Sequence, residues 1–261
     1  MGSQAIQAQL WGRNPQAWSS IQEATCQSGY DHALQLLQLT ADIHLLDVGC
    51  GSGLFCSEAY GYTKHVTGFD ATPGLLEEAR KRAPALTFIN GDMEALPFPG
   101  AQFDVVTGFN SFQFAADVNK ALAEAARVLK PRGRLIAMIW GNKADCEATA
   151  FLAAVDSLLP PPPPGAPGPF ALSEDQRLEK AIQQAGLTIL TNDDVPNVWE
   201  YPDLPTALDG LLSAGPSAKA IAHSGYDKVR TALSHAVAPF TQDNGHVVFR
   251  NKFRVVMAQK A

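Results

Sequence analysis

Cysteine is scarce in this chain and never clustered. Cys26, Cys50, Cys56 and Cys146 are spread over 261 residues without a CxxC pair, which argues against a zinc site and against a disulfide framework. No metal is expected, and a reducing, cytoplasmic setting fits best. Basic runs are missing as well. With a formal net charge of -6 and no stretch of five Lys or Arg, nothing supplies sequence-independent attraction to phosphate backbones, so nucleic acid is not expected as a partner. No window has the apolar length that a bilayer span needs. The segment MGSQAIQAQLWGRNP has neither the basic stretch nor the apolar core of a signal peptide, and Ile6 stands where a myristoylation signal needs Ser or Thr. No membrane association is expected, and no internal repeat is visible. What is present is 46% hydrophobic residues, enough for a sizeable core in one domain with an embellishment.

The most informative stretch is LLDVGCGSG, Leu45 to Gly53. A short apolar run stops at Asp47, and glycine then recurs at every second position before a helical pattern begins. This is a buried strand entering a turn that needs positive φ or close approach of another molecule to bare backbone. Such turns are where α/β sheets receive nucleotide-like ligands.

Around it the chain reads in order. Asn14 before Pro15 is an N-cap with proline at the first helical position, starting a helix through Trp18 and Ile21. A second helix is expected from about Asp31 to Leu39. Strands are expected at His44 to Val48, His65 to Asp70, Leu86 to Asn90, Phe103 to Phe109 and, after a turn at Pro131 to Gly133, Arg134 to Trp140. Helical segments alternate with them, which implies right-handed crossovers and an open, doubly wound, mostly parallel α/β sheet of seven strands. The proline run Pro160 to Pro164 reads as a stiff surface connection rather than an SH3 ligand. Ser173 with Gln176 is expected to form a capping box for a helix that Gly186 ends. Leu187 to Thr191 is a sixth strand, Asp203 to Phe240 is helical with breaks at Gly215 and Gly225, and HVVFRNKFRVVMAQ is a final antiparallel strand placed on the sheet edge. The expected organisation is a helical lid at 1–40, a ligand-binding α/β domain at 41–202 and 241–261, and an inserted helical cap at 203–240.

Spacing restricts the ligand on the glycine turn. A P-loop needs GxxxxGK followed by Ser or Thr, and no lysine follows these glycines. The dinucleotide fingerprint GxGxxG needs glycine at Leu54 or Cys56, and both positions fail. What remains is DxGxGxG: Asp47, Gly49, Gly51, Gly53. A pyrophosphate repels carboxylates, whereas a ligand with an amino group and a cationic centre welcomes one, so Asp47 points to a zwitterionic tail. Asp70 ends the second strand where a carboxylate accepts both hydroxyls of a ribose. Asp92 and Met93, past the third, suit an adenine amino group and its ring face. Amino acid, ribose and adenine in that order describe S-adenosylmethionine (SAM).

LLDVGCGSG, VTGFDATPGLLEEAR, FINGDMEALPFPGAQFDVV and LAEAARVLKPRGRL together resemble the successive motifs of the class I SAM-dependent methyltransferases. The likeness is to the small-molecule branch typified by the ubiquinone and menaquinone biosynthesis enzymes, and it runs from about Asp42 to Trp140. It implies the Rossmann-like methyltransferase fold. It places Gly49 and Gly51 under the methionine portion of SAM with Gly53 closing the motif, Asp70 on the ribose, Ala71 against the adenine, and Asp92 with Met93 at the adenine edge. Phe109 and Asn110 would sit beside the methionine and sulfonium, and Trp11, Trp18 and Tyr30 resemble the family's N-terminal lid. Two departures stand out. Ala71 is smaller than the residue usual after the ribose acid, and GFNSFQF replaces the NPPY or DPPY signature, which disfavours methylation of DNA bases.

The expected activity is methyl transfer by in-line displacement to a small, largely apolar metabolite, with the acceptor atom open. A dedicated base is optional in such a reaction; His223 is the candidate. Phe112, Gln113, Trp140 and Tyr201 are the candidate substrate contacts, within a roof that also includes Phe114, Trp199 and Leu211. His44 and His65, near strand starts, read as structural. The rival reading is a catalytically silent SAM-binding protein that serves regulation or assembly.

Overall fold

The computed structural model describes residues 2–161 and 168–261. Pro162 to Pro164 of the proline run, read above as a stiff connection, lie outside the described residues. One seven-stranded sheet has the order β3-β2-β1-β4-β5-β7-β6. Its strands are β1 His44–Val48, β2 His65–Asp70, β3 Thr87–Asn90, β4 Phe103–Phe109, β5 Leu129–Trp140, β6 Leu187–Tyr201 and β7 Val247–Lys260. Neighbours among the first five pair in parallel, while β7 pairs antiparallel with both β5 and β6. Strand order reverses between β1 and β4, so a crevice opens past the carboxyl ends of these strands, where doubly wound sheets take ligands.

The final strand is not at the edge. β7 lies between β5 and β6, because Val255, Val256 and Ala258 are covered on both faces, as an interior strand requires. The edge belongs to β6, where burial alternates along most of its length. It carries Pro196 and, between Ile189 and Thr191, a bulge, both tolerated where one side lacks a partner. β6 extends ten residues past the expected end at Thr191, paired with β7 throughout. Pro131 to Gly133 lie within β5, with Arg132 in the left-handed region at φ 63°, rather than in a turn before it.

The helices are α1 Gln4–Trp11, α2 Pro15–Ala17, α3 Gln27–Leu37, α4 Leu54–Ala59, α5 Pro73–Arg82, α6 Val118–Val128, α7 Thr149–Asp156, α8 Arg177–Gln184, α9 Leu204–Ser213, α10 Gly215–Ser224 and α11 Tyr226–Val237. On one sheet face Leu46, Val106, Leu135 and Ala137 pack with Leu122 of α6 and Ile182 of α8. On the other, Leu45, Val105, Ile136 and Phe253 pack with Leu37, Phe55, Leu76, Phe151, Leu208 and Leu233. Asn14 caps α2 as expected, accepting from the Ala17 amide. The helix then widens into a π-turn at Trp18–Gln22 and tightens into a 3-10 turn at Glu23–Cys26 before α3. α3 begins four residues before the expected Asp31 and stops at Leu37, with Gln38 left-handed. Ser173 does not cap α8; its hydroxyl donates to the Trp140 carbonyl, and no side chain caps that helix. Gly186, at φ 81°, follows α8 as expected.

Candidate functional site

The glycine turn follows β1 directly. Gly49, Gly51 and Gly53 have φ of 77°, 54° and 77°, a region that L side chains disfavour. A Cβ on Gly49 would fall 2.3 Å from Ser111 Cβ. On Gly51 it would meet Glu23 Oε1 at 3.0 Å and Trp18 Nε1 at 3.4 Å. On Gly53 it would press on Ala79 and the Phe88 ring. The first two glycines therefore form the floor of the crevice. Gly53 does not line it; it lets the turn pack on α5 and β3.

The crevice is a cleft partly open to solvent. It gathers Asp47, Gly49 and Gly51 from the first strand end, Asp70 and Ala71 from the second, Asp92 and Met93 from the third, and Phe109 and Asn110 from the fourth. Trp11, Trp18 and Tyr30 close it from the N-terminal side. All twelve were singled out from the sequence.

Each carboxylate is oriented by donors. Asp70 Oδ2 accepts from the Gly51 amide at 3.0 Å and Oδ1 from the Thr72 amide at 2.7 Å. Burial pushes this carboxyl up to about 6, opposed by those same amides. Asp47, 2% exposed, accepts from the Thr107 hydroxyl at 2.8 Å and the Cys56 thiol at 3.6 Å; burial pushes it up to about 7 against those donors. Asp92 accepts from the Glu94 amide at 3.0 Å.

The start of the chain lies across the β3 end. The Ser3 amide donates to Glu94 Oε1 and Gln4 Nε2 to Asn90 Oδ1. Gln7 Nε2 donates to the Phe114 carbonyl and its Oε1 accepts from Trp11 Nε1. Trp11 in turn meets Trp18 and Phe114 edge-on, at 4.7 Å and 5.3 Å between ring centroids. Tyr30 stands edge-on to Phe109 at 4.8 Å.

Three buried polar atoms around this space have no partner: Trp18 Nε1, Asn110 Oδ1 and Ser111 Oγ. A donor, an acceptor and a hydroxyl left unpaired in one cleft are costly unless a ligand satisfies them. They suit the carboxylate and amino group of SAM, whose ribose and adenine suit Asp70 and Asp92. The residues present fit that group.

Other expected contacts lie elsewhere. His223 is exposed on the last turn of α10 and does not line the crevice. Phe112 and Gln113 share the 3-10 turn Phe112–Phe114, where three residues per turn send successive side chains in different directions. Phe114 faces the crevice, Phe112 is in the α6 core, and Gln113 does not line the site. Trp140 packs on Phe170, Trp199 and Phe253, and the Tyr201 hydroxyl donates to Gln22 Oε1. Both are core residues behind the lid segment. His44 and His65 stack at 4.4 Å at the opposite, amino ends of β1 and β2.

Glu23 lines the site without having been singled out. Its carboxylate is 2% exposed as a residue, accepts from the Ser52 amide at 2.8 Å and from the Ser52 hydroxyl, and pairs with Arg82. Burial pushes it up, and Arg82 with the Ser52 donors pulls it back. Cys26, also missed, accepts weakly from Asn110 Nδ2 at 3.8 Å, and burial pushes its thiol up to about 12.

A family model described as "Methyltransferase domain" matches residues 46–137. The malonyl-[acyl-carrier protein] O-methyltransferase of Erwinia pyrifoliae is 27% identical over 82% of this chain and 77% of that protein. The demethylmenaquinone methyltransferase of Tropheryma whipplei is 34% identical over 49% of this chain and 54% of its own length, so the match spans about half of that relative. Among solved structures, the YcgJ protein of Bacillus subtilis superposes with a TM-score of 0.59 at 20% identity, covering 90% of this chain and 98% of that one. The resemblance read from the motifs, and the fold it implied, hold.

Proposed function

We propose that this chain, which matches a methyltransferase domain model through residues 46–137, transfers a methyl group from SAM to a small, largely apolar metabolite. The observation that carries the reading is the unpaired set Trp18 Nε1, Asn110 Oδ1 and Ser111 Oγ facing a cleft with carboxylates at three successive strand ends. When bound, SAM supplies a methyl on a sulfonium, open to in-line attack. Asp70 holds the ribose through its remaining lone pairs, Asp92 and Met93 the adenine edge, and Ala71 its face. Gly49 and Gly51 bring bare backbone to the methionine portion. The Trp18 indole N–H and the Ser111 hydroxyl donate to its carboxylate, and Asn110 Oδ1 accepts from its amine.

The protein's remaining task is to position the acceptor and exclude water. Residues 1–40 serve as the lid. Residues 41–202 with 241–261 form the binding domain, and 203–240 brace the lid from behind. Two contacts support that division: a Cβ on Gly215 of α10 would lie 2.7 Å from the Trp11 ring, and one on Gly210 of α9 would lie 2.7 Å from Gln22 Oε1. No histidine lines the cleft among the described residues, which fits an acceptor that needs no dedicated imidazole base. Four free, buried cysteines support a reducing, cytoplasmic setting.

Trp18→Phe tests the assignment, since it keeps the ring and removes the N–H. Calorimetry is expected to show SAM binding weakened about tenfold or more, the worth of one hydrogen bond to a charged group. Adenosine, which has no carboxylate, is expected to bind unchanged. Equal effects on both ligands, or none, would refute the placement, and absence of label transfer from SAM to any acceptor despite tight binding would refute the activity.

A further inference from the structure

The β3 end of the cleft is covered by the chain itself. Gly2 lies so close to Asp92 that a Cβ there would collide with Oδ2 and the carboxyl carbon. The other oxygen, Oδ1, accepts from the Glu94 amide. Ser3, Gln4 and Gln7 continue along the same wall. One side of this carboxylate is thus tied to its own turn, and residues some ninety positions away in sequence cover the other.

The hold on this segment is slight. Glu94, 4% exposed, is its latch: Oε1 accepts from the Ala116 amide at 2.8 Å and from the Ser3 amide at 3.3 Å. The first bond fixes the carboxylate to the body of the protein. The second, just past the usual N–H to O range, holds the segment. Gln4 to Asn90 and Gln7 to Phe114 add single neutral bonds of 3.2 Å and 3.1 Å, and no residue of α1 is fully buried. The chain is anchored again only at Trp11, against Trp18 and Phe114. A segment with so few buried contacts opens at low cost.

We infer that residues 2–7 form an autoinhibitory strap, which covers Asp92 in the empty protein and must swing off it, releasing the Ser3–Glu94 bond, before the adenine amine of the cofactor reaches that carboxylate. This rests on the reading of the cleft as a SAM site. Because only the open fraction binds, the strap lowers the apparent affinity by that fraction. Glu94 is the positioning residue that sets it.

Two variants of the full chain loosen the strap. Gly2→Ala places the colliding Cβ against Asp92. Ser3→Pro removes the donor amide and leaves the Glu94–Ala116 bond in place; Ser3 has a φ of -82°, close to what proline imposes, and its side chain caps nothing. Stopped-flow mixing with S-adenosylhomocysteine, followed by tryptophan fluorescence, is expected to show association about fivefold faster in each variant, the factor that one neutral hydrogen bond supplies, with dissociation unchanged. Calorimetry should show affinity tighter by the same factor. Weaker binding or faster release in the variants would make the segment a clamp over bound cofactor, and unchanged rates would make it a bystander; either result overturns the inference. Amide exchange in the empty chain judges the strap without any cofactor. The Ser3 amide is expected to exchange at least about tenfold faster than the Ala116 amide, although both meet the same oxygen, and Gly2→Ala should speed the first alone. Equal protection of the two amides rejects the strap. If S-adenosylhomocysteine binds neither the unaltered chain nor the variants, the SAM reading falls, and the exchange measurement still decides whether the segment opens.

Discussion

Both Asp70 oxygens are committed before any ligand arrives, one to the Gly51 amide and the other to Thr72. The residue that would hold the ribose thus also sets the shape of the glycine turn. Its replacement by alanine would orphan two amides, so lost binding and lost fold would be confounded. Asp70→Asn separates them better. The amide keeps the shape but has a single acceptor oxygen, so one backbone N–H loses its partner and the ribose faces an NH2. SAM affinity is expected to fall at least about tenfold. Stability should drop by about 1 kcal/mol, a shift of about 2–4 °C in the unfolding midpoint. A binding loss without a midpoint change would mean that the two amides do not depend on this carboxylate.

At the scale of elements, one long-range clamp ties the lid to the glycine turn and to α5. Arg82 at the end of α5 meets Ser19 in the π-turn, Glu23 in the 3-10 turn and Ser52 at the glycine turn. π-turns are rare and recur at functional sites; here the widened turn carries Trp18 over Gly51. Arg82→Met would leave the Glu23 carboxylate buried and unpaired. Because the arginine side chain is 22% exposed, solvent relieves part of the penalty, and a loss of about 2 kcal/mol is expected in urea unfolding. Adding Glu23→Gln should recover most of it, whereas additive losses in the double variant would show that the two side chains are not coupled.

This clamp was invisible in the sequence, because Glu23 and Arg82 belong to no shared motif and meet only through the fold. The glycine turn and strands β1, β2 and β4 were legible to the residue, since burial on both faces leaves an apolar run with sharp ends. Phe112 and Phe114 were not separable, as two neighbouring aromatics look alike until a 3-10 turn sends one inward and one to the site. His223 carried chemistry in its type but nothing in its position. The exchange of β6 and β7 at the edge was hidden because both alternate with the same period.

Across the whole molecule, the cleft gathers acidic groups whose protonation opposes ligand binding and favours the empty fold. Burial raises Asp47 from 3.8 to about 7 and Asp70 from 3.8 to about 6. A carboxyl raised in the folded state contributes stability that is fully present below its open-chain value and is lost as pH rises through the folded one. The empty protein should therefore lose stability as pH climbs from about 4 to about 7. At the acid end this is countered by Asp104 and Glu124. Lys130 and the His44 amide hold Asp104 low against the upward pull of burial, and Arg127 holds Glu124 low; their contributions are lost as the pH falls further. SAM carries cationic amino and sulfonium groups, which favour the ionised acids, so its affinity should weaken as pH drops through the same window. Thermal midpoints with and without saturating SAM should thus draw together in acid and separate above neutral pH. Asp47→Asn, which cannot ionise, is expected to flatten the slope of the empty protein between about pH 4 and pH 7. Parallel curves for the two states, or an unchanged slope in Asp47→Asn, would show that these buried carboxyls do not govern either equilibrium.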